Sequence, residues 1–261
     1  MSASRQVGLR WVIAFVALLL FAANACIART LAEVKARGVI SMCANPDALP
    51  HSSKQSDMPG FQIEIGRALA NALGSPLQVE WIIPRSRAGL VDCDLLLDTI
   101  AGDDVQQAPL RLSHPYQKSG VALAFRSGVA APRGFQDLAP GLRVGVLVNS
   151  VASKVLGLRG ARTVPYAFES DMVDDLAKGE LDACAVSPAS IAYFIDRHPD
   201  AGLRYVHAYD AEPELRWNLA IGLRRSDEAL QDAVNVALDK LIEDGTLARI
   251  YAKYGVDYRR P

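Results

Sequence analysis

Short apolar runs separated by polar turns recur along most of the chain. Runs of this length that are rich in Val, Ile and Leu are typical of buried β-strands. They predict strands at 39–43, 77–83, 94–97, 121–125, 142–148, 164–168, 181–186, 203–206 and 217–223.

Between these strands the apolar residues change to a four-residue spacing, which is typical of amphipathic helices. The clearest case is 61–73, which ends before Gly74 and has its apolar face at Phe61, Ile65, Leu69 and Leu73. The last long helix is predicted to begin with Ser226 as its N-cap and to end at Gly245. Further helices are predicted at 170–178 and 189–197, and Ser150 stands at the head of another.

Strands that alternate with helices indicate an α/β protein. The chain has 261 residues, which exceeds a typical domain of about 100–150 residues, so we expect two lobes. A connector at 127–141 carries three glycines and two prolines and marks the start of a second unit.

The N-terminal segment 1–28 has the three parts of a secretory signal peptide. Two arginines precede the apolar run 11–23, and small residues follow it. The alternative is a membrane anchor, but a spanning helix needs about 20 apolar residues. We expect cleavage after Ala25 or after Ala28 and a location in the periplasm. Cleavage after Ala25 would also make Cys26 available for attachment of a lipid.

Charge and motif content argue against nucleic-acid binding and against most enzyme classes. The formal net charge is −1, and it becomes −3 without the two arginines of 1–28, whereas nucleic-acid-binding domains are basic. The four histidines do not stand at metal-ligand spacing, and the sequence has neither a G-x-S-x-G motif nor a glycine-rich phosphate loop. We therefore expect a monomeric binding protein without a metal or another cofactor, rather than an enzyme.

Cys43 and Cys93 each lie at the end of an apolar run, and two interpretations are open. If the two runs are neighbouring strands, a disulfide between them is possible; the alternative is a pair of buried free thiols. The oxidising periplasm favours the disulfide. Cys184 lies within 181–186 and is expected to be a small core residue rather than a reactive thiol.

Four segments stand in the same order as the motifs of a known family. They are PGFQIEIGRALANALG at 59–74, LSHPYQKSGVALAFRSG at 112–128, LAKGELDACAVSPASIAYFI at 176–195 and VNVALDKLIEDGTLARIYAKYG at 234–255. Together they resemble the family 3 extracellular solute-binding proteins, which include the amino-acid receptors of ABC importers. The resemblance covers most of the chain after residue 28.

This resemblance implies a periplasmic binding protein-like type II fold, in which two α/β lobes are joined by a two-strand hinge. The first lobe would be 29–123 plus 219–261, the second lobe 126–216, and the hinge strands would lie near 121–127 and 214–222. A small polar solute would bind between the lobes. The membrane subunits of an ABC importer would be the protein partner.

The candidate ligand contacts are His51, Arg85, Thr99, Asp104, Tyr116, Ser119, Asn149, Ser150 and Ser187. Among them, Arg85 would supply a cation from a loop other than the one that the family uses. The family binds the ligand carboxylate with an Arg in the loop that corresponds to 99–107, but this loop contains no Arg and includes Asp104. An aromatic residue of the family's first loop is replaced by His51. Both departures weigh against an amino acid as the ligand.

Several of these residues have a structural alternative. Arg85 is also typical of a solvated loop, Ser150 of a helix cap and Ser187 of a strand end. Tyr116 and Ser119 belong to the segment that crosses between the lobes, where they would be hinge residues instead of ligand contacts.

A narrower resemblance concerns MCANPDALPHSS at 42–53, the pair Cys93-Asp94 and the C-terminal YAKYGVDYRRP. These segments are similar to the solute-binding-like proteins associated with quinoprotein alcohol and methanol dehydrogenases. That resemblance implies a periplasmic PQQ-dependent dehydrogenase as the alternative partner. A third hypothesis is a periplasmic dehydratase on the same fold, with Asp98 or Asp104 as its general acid.

Overall fold

The computed structural model describes residues 29–83, 93–101, 110–128 and 131–261. The predicted signal peptide at 1–28 and the candidate ligand contacts Arg85 and Asp104 lie outside the described residues.

Strands and helices alternate along the described chain as the apolar pattern predicts. The strands are β1 (Ile40–Ala44), β2 (Asp47–Ala48), β3 (Ser52–Ser53), β4 (Leu77–Trp81), β5 (Leu95–Ala101), β6 (Leu110–Leu112), β7 (Gln117–Gly120), β8 (Ala122–Arg126), β9 (Val144–Leu147), β10 (Thr163–Tyr166), β11 (Ala183–Val186), β12 (Leu203–Val206) and β13 (Arg216–Arg224). The helices are α1 (Leu31–Arg37), α2 (Phe61–Ala72), α3 (Val151–Leu158), α4 (Glu169–Lys178), α5 (Pro188–Arg197), α6 (Glu228–Glu243) and α7 (Thr246–Ala252).

The strands form two mixed sheets, and each sheet with its helices is called a lobe below. The first sheet has the order β4–β1–β5–β13–β6, with β7 also paired to β13. The second sheet has the order β10–β9–β11–β8–β12. Parallel pairs such as β1–β4 and β9–β10 are connected through the helices α2 and α3, as parallel strands require.

The chain passes from the first sheet to the second between β7 and β8, and it returns before β13. At the first passage, Val121 N–H donates to the carbonyl oxygen of Leu215 at 3.0 Å, so the outgoing and returning segments lie side by side. Gly120 lies between them, and a Cβ atom at this position would be 2.3 Å from the same carbonyl oxygen. The close approach of the two segments therefore requires glycine.

An apolar core fills the first lobe, where α2, α6 and α7 pack together beside the sheet. Two alanines of the second lobe, Ala189 and Ala192 on α5, are buried in this same core. The next residue, Tyr193, directs its hydroxyl to the sulfur of Met58 at 3.3 Å. The two lobes are therefore in apolar contact along α5.

The disulfide between Cys43 and Cys93 is confirmed. β1 and β5 are neighbours, the two Cα atoms are 5.5 Å apart and the sulfurs are bonded. Cys184 is completely buried in the second lobe, and burial raises the pKa of its thiol far above the usual range. It is a core residue, as its position in a buried strand predicts.

A buried carboxylate holds the start of the described chain. Asp94 has no exposed side-chain surface and forms ion pairs with Arg29 and Arg37. Its oxygens also accept from the backbone N–H and the hydroxyl of Ser41, at 2.8 and 2.9 Å. The segment before β1 is thus fixed to β5.

The predicted cap of the last long helix was wrong by one residue. Asp227, not Ser226, is the N-cap of α6, and its carboxylate accepts from Leu230 N–H at 2.8 Å. The same carboxylate oxygen accepts from Leu31 N–H at 3.3 Å, so Asp227 also fixes α1. Gly245 follows α6 in a left-handed conformation, as predicted.

Candidate functional site

A cavity of about 260 Å³ lies between the two lobes. Residues of both sheets and of three helix starts line it. From the first lobe and the crossing segments come His51, Asp98, Ile100, Ser119, Gly120, Val121, Trp217 and Leu219. From the second lobe come Leu147, Ser150, Val151, Ala152, Glu169, Ala185, Val186 and Ser187.

Asp98 is the acidic group on the first-lobe side, and the fold holds it in a fixed orientation. It lies in β5 with a left-handed φ of 55°, which is strained for a residue other than glycine. Its carboxylate accepts a hydrogen bond from the hydroxyl of Tyr116 and another from the side-chain amide of Gln62. A carboxylate has about four acceptor sites, so it retains capacity for a ligand donor.

Tyr116 does not line the cavity but positions Asp98 from behind. Its side chain is completely buried, and its hydroxyl accepts from Asp98 N–H at 3.2 Å while it donates to the Asp98 carboxylate. Burial, reinforced by the nearby negative charge of Asp98, raises the pKa of Tyr116 well above its usual value. The phenol is therefore a neutral donor at physiological pH.

On the second-lobe side, the starts of three helices meet the cavity. Ser150 is the N-cap of α3, and its hydroxyl accepts from Ser153 N–H at 3.0 Å. Ser187 is the N-cap of α5, with Ser190 N–H as its donor at 3.3 Å. Glu169 is the first residue of α4, and its carboxylate accepts from Ser187 N–H at 2.8 Å.

Four of the residues expected to contact the ligand line this cavity, namely His51, Ser119, Ser150 and Ser187. Asn149 is exposed in a turn with a left-handed φ of 60° and is outside the lining. Thr99 is also outside the lining. Its hydroxyl donates to the carbonyl oxygen of Leu96 at 3.1 Å.

Glu169 and Trp217 line the cavity although the sequence analysis did not propose them. Glu169 could have been found because it immediately precedes the helix predicted at 170–178, where an acidic residue is favourable. Trp217 could have been found as an aromatic residue at the start of a hinge strand.

The charged groups of the lining are acidic. Asp98 comes from the first lobe and Glu169 from the second, and the part of the lining that the structure describes contains neither Lys nor Arg. His51 is the third titratable residue of the described lining, and its ring packs at 4.9 Å from that of Phe61. The described lining therefore favours a ligand with positive charge or with hydrogen-bond donors.

A second cavity of about 310 Å³ adjoins the first on the first-lobe side. It shares His51 and Asp98 with the interlobe cavity and reaches the disulfide at Cys43. The two cavities together extend from the disulfide to the starts of α3 and α5.

Within 29–83, 93–101, 110–128 and 131–261, no cluster of three metal-ligating side chains is present. In the same ranges, no helix is both long and apolar enough to span a bilayer.

Comparison with known proteins relates this architecture to characterised chains. A probable histidine-binding protein of Neisseria gonorrhoeae is 25% identical over 227 residues, which are 83% of this chain and 82% of the relative. The lysine/arginine/ornithine-binding periplasmic protein of Escherichia coli strain K12 is 26% identical over 222 residues, 78% of this chain and 83% of the relative.

Enzymes also occur among the relatives. The membrane-bound lytic murein transglycosylase F of Serratia proteamaculans is 25% identical over 238 residues. The match covers 86% of this chain but 47% of that protein, so the chain spans about half of its length.

Among solved structures, an ancestral cationic amino acid solute-binding protein superposes with a TM-score of 0.72 at 21% identity, over 86% of this chain and 98% of the other. This likeness confirms the periplasmic binding protein type II fold that the sequence motifs imply. The model of the bacterial extracellular solute-binding proteins, family 3, matches residues 40–257, and the chain belongs to that family.

Proposed function

We propose that this protein is a periplasmic receptor that closes on a small polar solute between its two lobes and presents it to the membrane subunits of an ABC importer. The observation that carries the proposal is the interlobe cavity, which has polar groups from both lobes on its walls. A solute that contacts both lobes stabilises the closed arrangement, because it has more contacts there than in an open one.

The proposed lobes are 29–123 plus 219–261 and 126–216, with hinge strands near 121–127 and 214–222. In the closed arrangement His51 and Asp98 would bind the solute together with Ser150, Glu169 and Ser187, since all five line the same cavity. The apolar contact of α5 with the first lobe supports this arrangement.

The relatives support an importer-linked receptor. Two of them are named for binding histidine and for binding lysine, arginine or ornithine. An importer receptor acts outside the cytoplasmic membrane, which agrees with the signal peptide proposed for 1–28, cleaved after Ala25 or Ala28, and with Cys26 as the alternative lipid attachment site.

The association with a quinoprotein dehydrogenase has less support. It rests on the resemblance of 42–53, the pair Cys93-Asp94 and the C-terminal segment. Cys93 and Asp94 both have a role in the fold that needs no dehydrogenase partner, because Cys93 forms the disulfide and Asp94 binds Arg29 and Arg37. A dehydratase has less support still. Of its two proposed general acids, Asp104 lies outside the described residues, and Asp98 accepts hydrogen bonds from Tyr116 and Gln62, which favour a carboxylate over a proton donor.

A thermal-shift panel of the purified exported protein tests the receptor. The panel contains amino acids, small organic acids, alcohols, sugars and amines. A ligand at 100 times its Kd stabilises the native state by about 2.7 kcal/mol, which corresponds to a rise in Tm of roughly 5–10 °C. The proposal predicts such a rise with one solute class.

Two variants of α3 locate the binding site. Val151→Trp places a large side chain at the edge of the cavity, where Val151 is 39% exposed, and should abolish the thermal shift. Leu158→Trp adds the same ring at the other end of the helix, where Leu158 is 91% exposed, and should retain the shift. A flat panel for a folded protein would refute the receptor and leave the dehydrogenase partner, tested by co-purification, as the leading account.

A further inference from the structure

The backbone at the start of α5 is already bound to a carboxylate of the protein itself. A helix N-terminus favours anions because its first N–H groups are unpaired. Here Glu169 from α4 accepts from Ser187 N–H at 2.8 Å. A carboxylate group of a ligand therefore finds this position occupied by an internal acid of the same charge.

Asp98 places a second carboxylate on the opposite, first-lobe wall of the cavity. It is held by Tyr116 and Gln62, neither of which carries a charge that would neutralise it. The described lining thus presents one full negative charge from each lobe.

Glu169 begins α4 and is bound to the start of α5, which leaves the start of α3 as the helix start of the described lining that would favour an anion. The effect of this helix start is equivalent to about half a positive charge, and it falls off within the first turn. The hydroxyl of Ser150 already accepts one of its N–H groups, that of Ser153. Within the described lining, half a positive charge does not outweigh two carboxylates, so these groups would repel a ligand carboxylate.

We propose that the solute is a small organic amine without a carboxylate group, with ammonium ions bound by Asp98 and Glu169. This inference rests on the receptor function proposed above. Primary amines have pKa values near 10.4, like a lysine side chain, so they are cationic in the periplasm. An amine with an ammonium at each end would bind both carboxylates and join the two lobes.

The remaining walls suit the chain between two such ends. Trp217, Leu219 and Val186 contribute apolar surface to the cavity that Asp98 and Glu169 also line. Methylene groups gain free energy when they are buried against such surface. An α,ω-diamine therefore suits this lining, because its methylene chain would lie against the apolar walls while its ends bind the two acids.

Three probes separate the chemical requirements in titration calorimetry at pH 7. Cadaverine has two ammonium groups, pentylamine has one, and lysine is cadaverine with a carboxylate added. The proposal predicts that cadaverine binds about tenfold or more tightly than pentylamine, because each charged hydrogen bond is worth at least a factor of ten. It also predicts that cadaverine binds about tenfold or more tightly than lysine, because Asp98 and Glu169 would repel the carboxylate of lysine.

Isosteric variants identify the groups that bind the amine. Glu169→Gln keeps an acceptor oxygen for Ser187 N–H but removes the charge, and should weaken cadaverine binding by about tenfold to a hundredfold. Asp98→Asn should do the same from the other lobe. The control is Asp171→Asn, which removes an exposed acid from the same turn of α4 outside the cavity, and it should leave the affinity unchanged.

The outcomes distinguish this inference from the receptor itself. If lysine binds as tightly as cadaverine or more tightly, or if Glu169→Gln keeps full affinity, the amine proposal is wrong while the receptor stands. If none of these amines binds but another solute of the panel does, the amine proposal alone fails. If no solute binds at all, both fail.

Discussion

Replacement of Asp94 by asparagine tests how the first strand is held in the fold. The side chain of Asp94 has no exposed surface, and its oxygens accept from Arg29 at 3.2 Å, from Arg37 at 2.9 Å and from Ser41 N–H at 2.8 Å. Asparagine has the same shape but one acceptor oxygen, and its amide NH₂ is a donor. In either orientation of the amide, its NH₂ group points at N–H or O–H donors of Arg29, Arg37 or Ser41, and the hydrogen bonds on that side are lost.

The loss of charge adds to this mismatch. The side chain of Arg29 is 9% exposed and that of Arg37 is 38% exposed, so one guanidinium remains largely buried without this counterion. Removal of one partner from a buried ion pair costs about 3–5 kcal/mol. Because Arg37 is partly solvated, we expect the lower end, a decrease of about 3 kcal/mol in the free energy of unfolding.

Urea unfolding at pH 7, followed by circular dichroism, measures this decrease. The matched control is Arg37→Gln, which removes the exposed partner and should cost about 1 kcal/mol or less. If Asp94→Asn costs no more than the control, the ion pairs do not hold the strand and the argument is refuted.

Three further predictions concern other parts of the fold. Reduction of the disulfide, whose cysteines are 50 residues apart, should lower the free energy of unfolding by up to about 4 kcal/mol in the chain-entropy model, measured by urea unfolding with and without dithiothreitol. Gly120→Ala should cost about 1–3 kcal/mol, seen as a lower Tm, because its Cβ would lie 2.3 Å from the carbonyl oxygen of Leu215; an unchanged Tm would contradict this contact. Hydrogen bonds from Arg143 lower the pKa of Asp182 below 3.8, so this carboxylate stabilises the native state above that pH and the contribution disappears as the pH falls through the lowered pKa. Asp182→Asn should therefore be less stable than the wild type by up to about 1 kcal/mol at pH 6, and the difference should shrink as the pH falls through the lowered pKa of Asp182; a constant difference across pH would contradict the assignment.

The periodicity of apolar residues was sufficient to predict most helices and strands. The face of α2 and the strands β11 and β12 follow from local pattern alone, since residues that share a core recur at the spacing of the element. The sequence predicted the disulfide as one of two possibilities. It forms because β1 and β5 are neighbouring parallel strands, which brings Cys43 close to Cys93.

Contacts between segments that are distant in sequence could not be predicted from the periodicity of apolar residues. Asp227 displaces Ser226 as the cap of α6 because its carboxylate also accepts from Leu31 N–H, which is distant in sequence. The helix α1 was not predicted because it has seven residues and buries Val34 alone, which is too little to give an apolar periodicity.

The candidate site was predictable where local structure determines it. Ser150 was predicted at the head of a helix, and it does line the cavity. The contact between Glu169 and Ser187 was not predictable, since it depends on how α4 and α5 pack. The role of Tyr116 was not predictable either, because only the three-dimensional structure shows that it supports Asp98 from behind the cavity wall.

The central claim is that a small solute binds between the lobes, and the fluorescence of Trp217 tests it most directly. After residue 28 the chain has two tryptophans, Trp81 and Trp217, and Trp217 lines the interlobe cavity. In the variant Trp81→Phe the emission therefore reports on the cavity alone. We predict a saturable change in emission as the solute identified by the panel is added, with the same Kd as calorimetry gives. Calorimetric binding without any change in the emission of Trp217 would place the solute elsewhere and contradict the account.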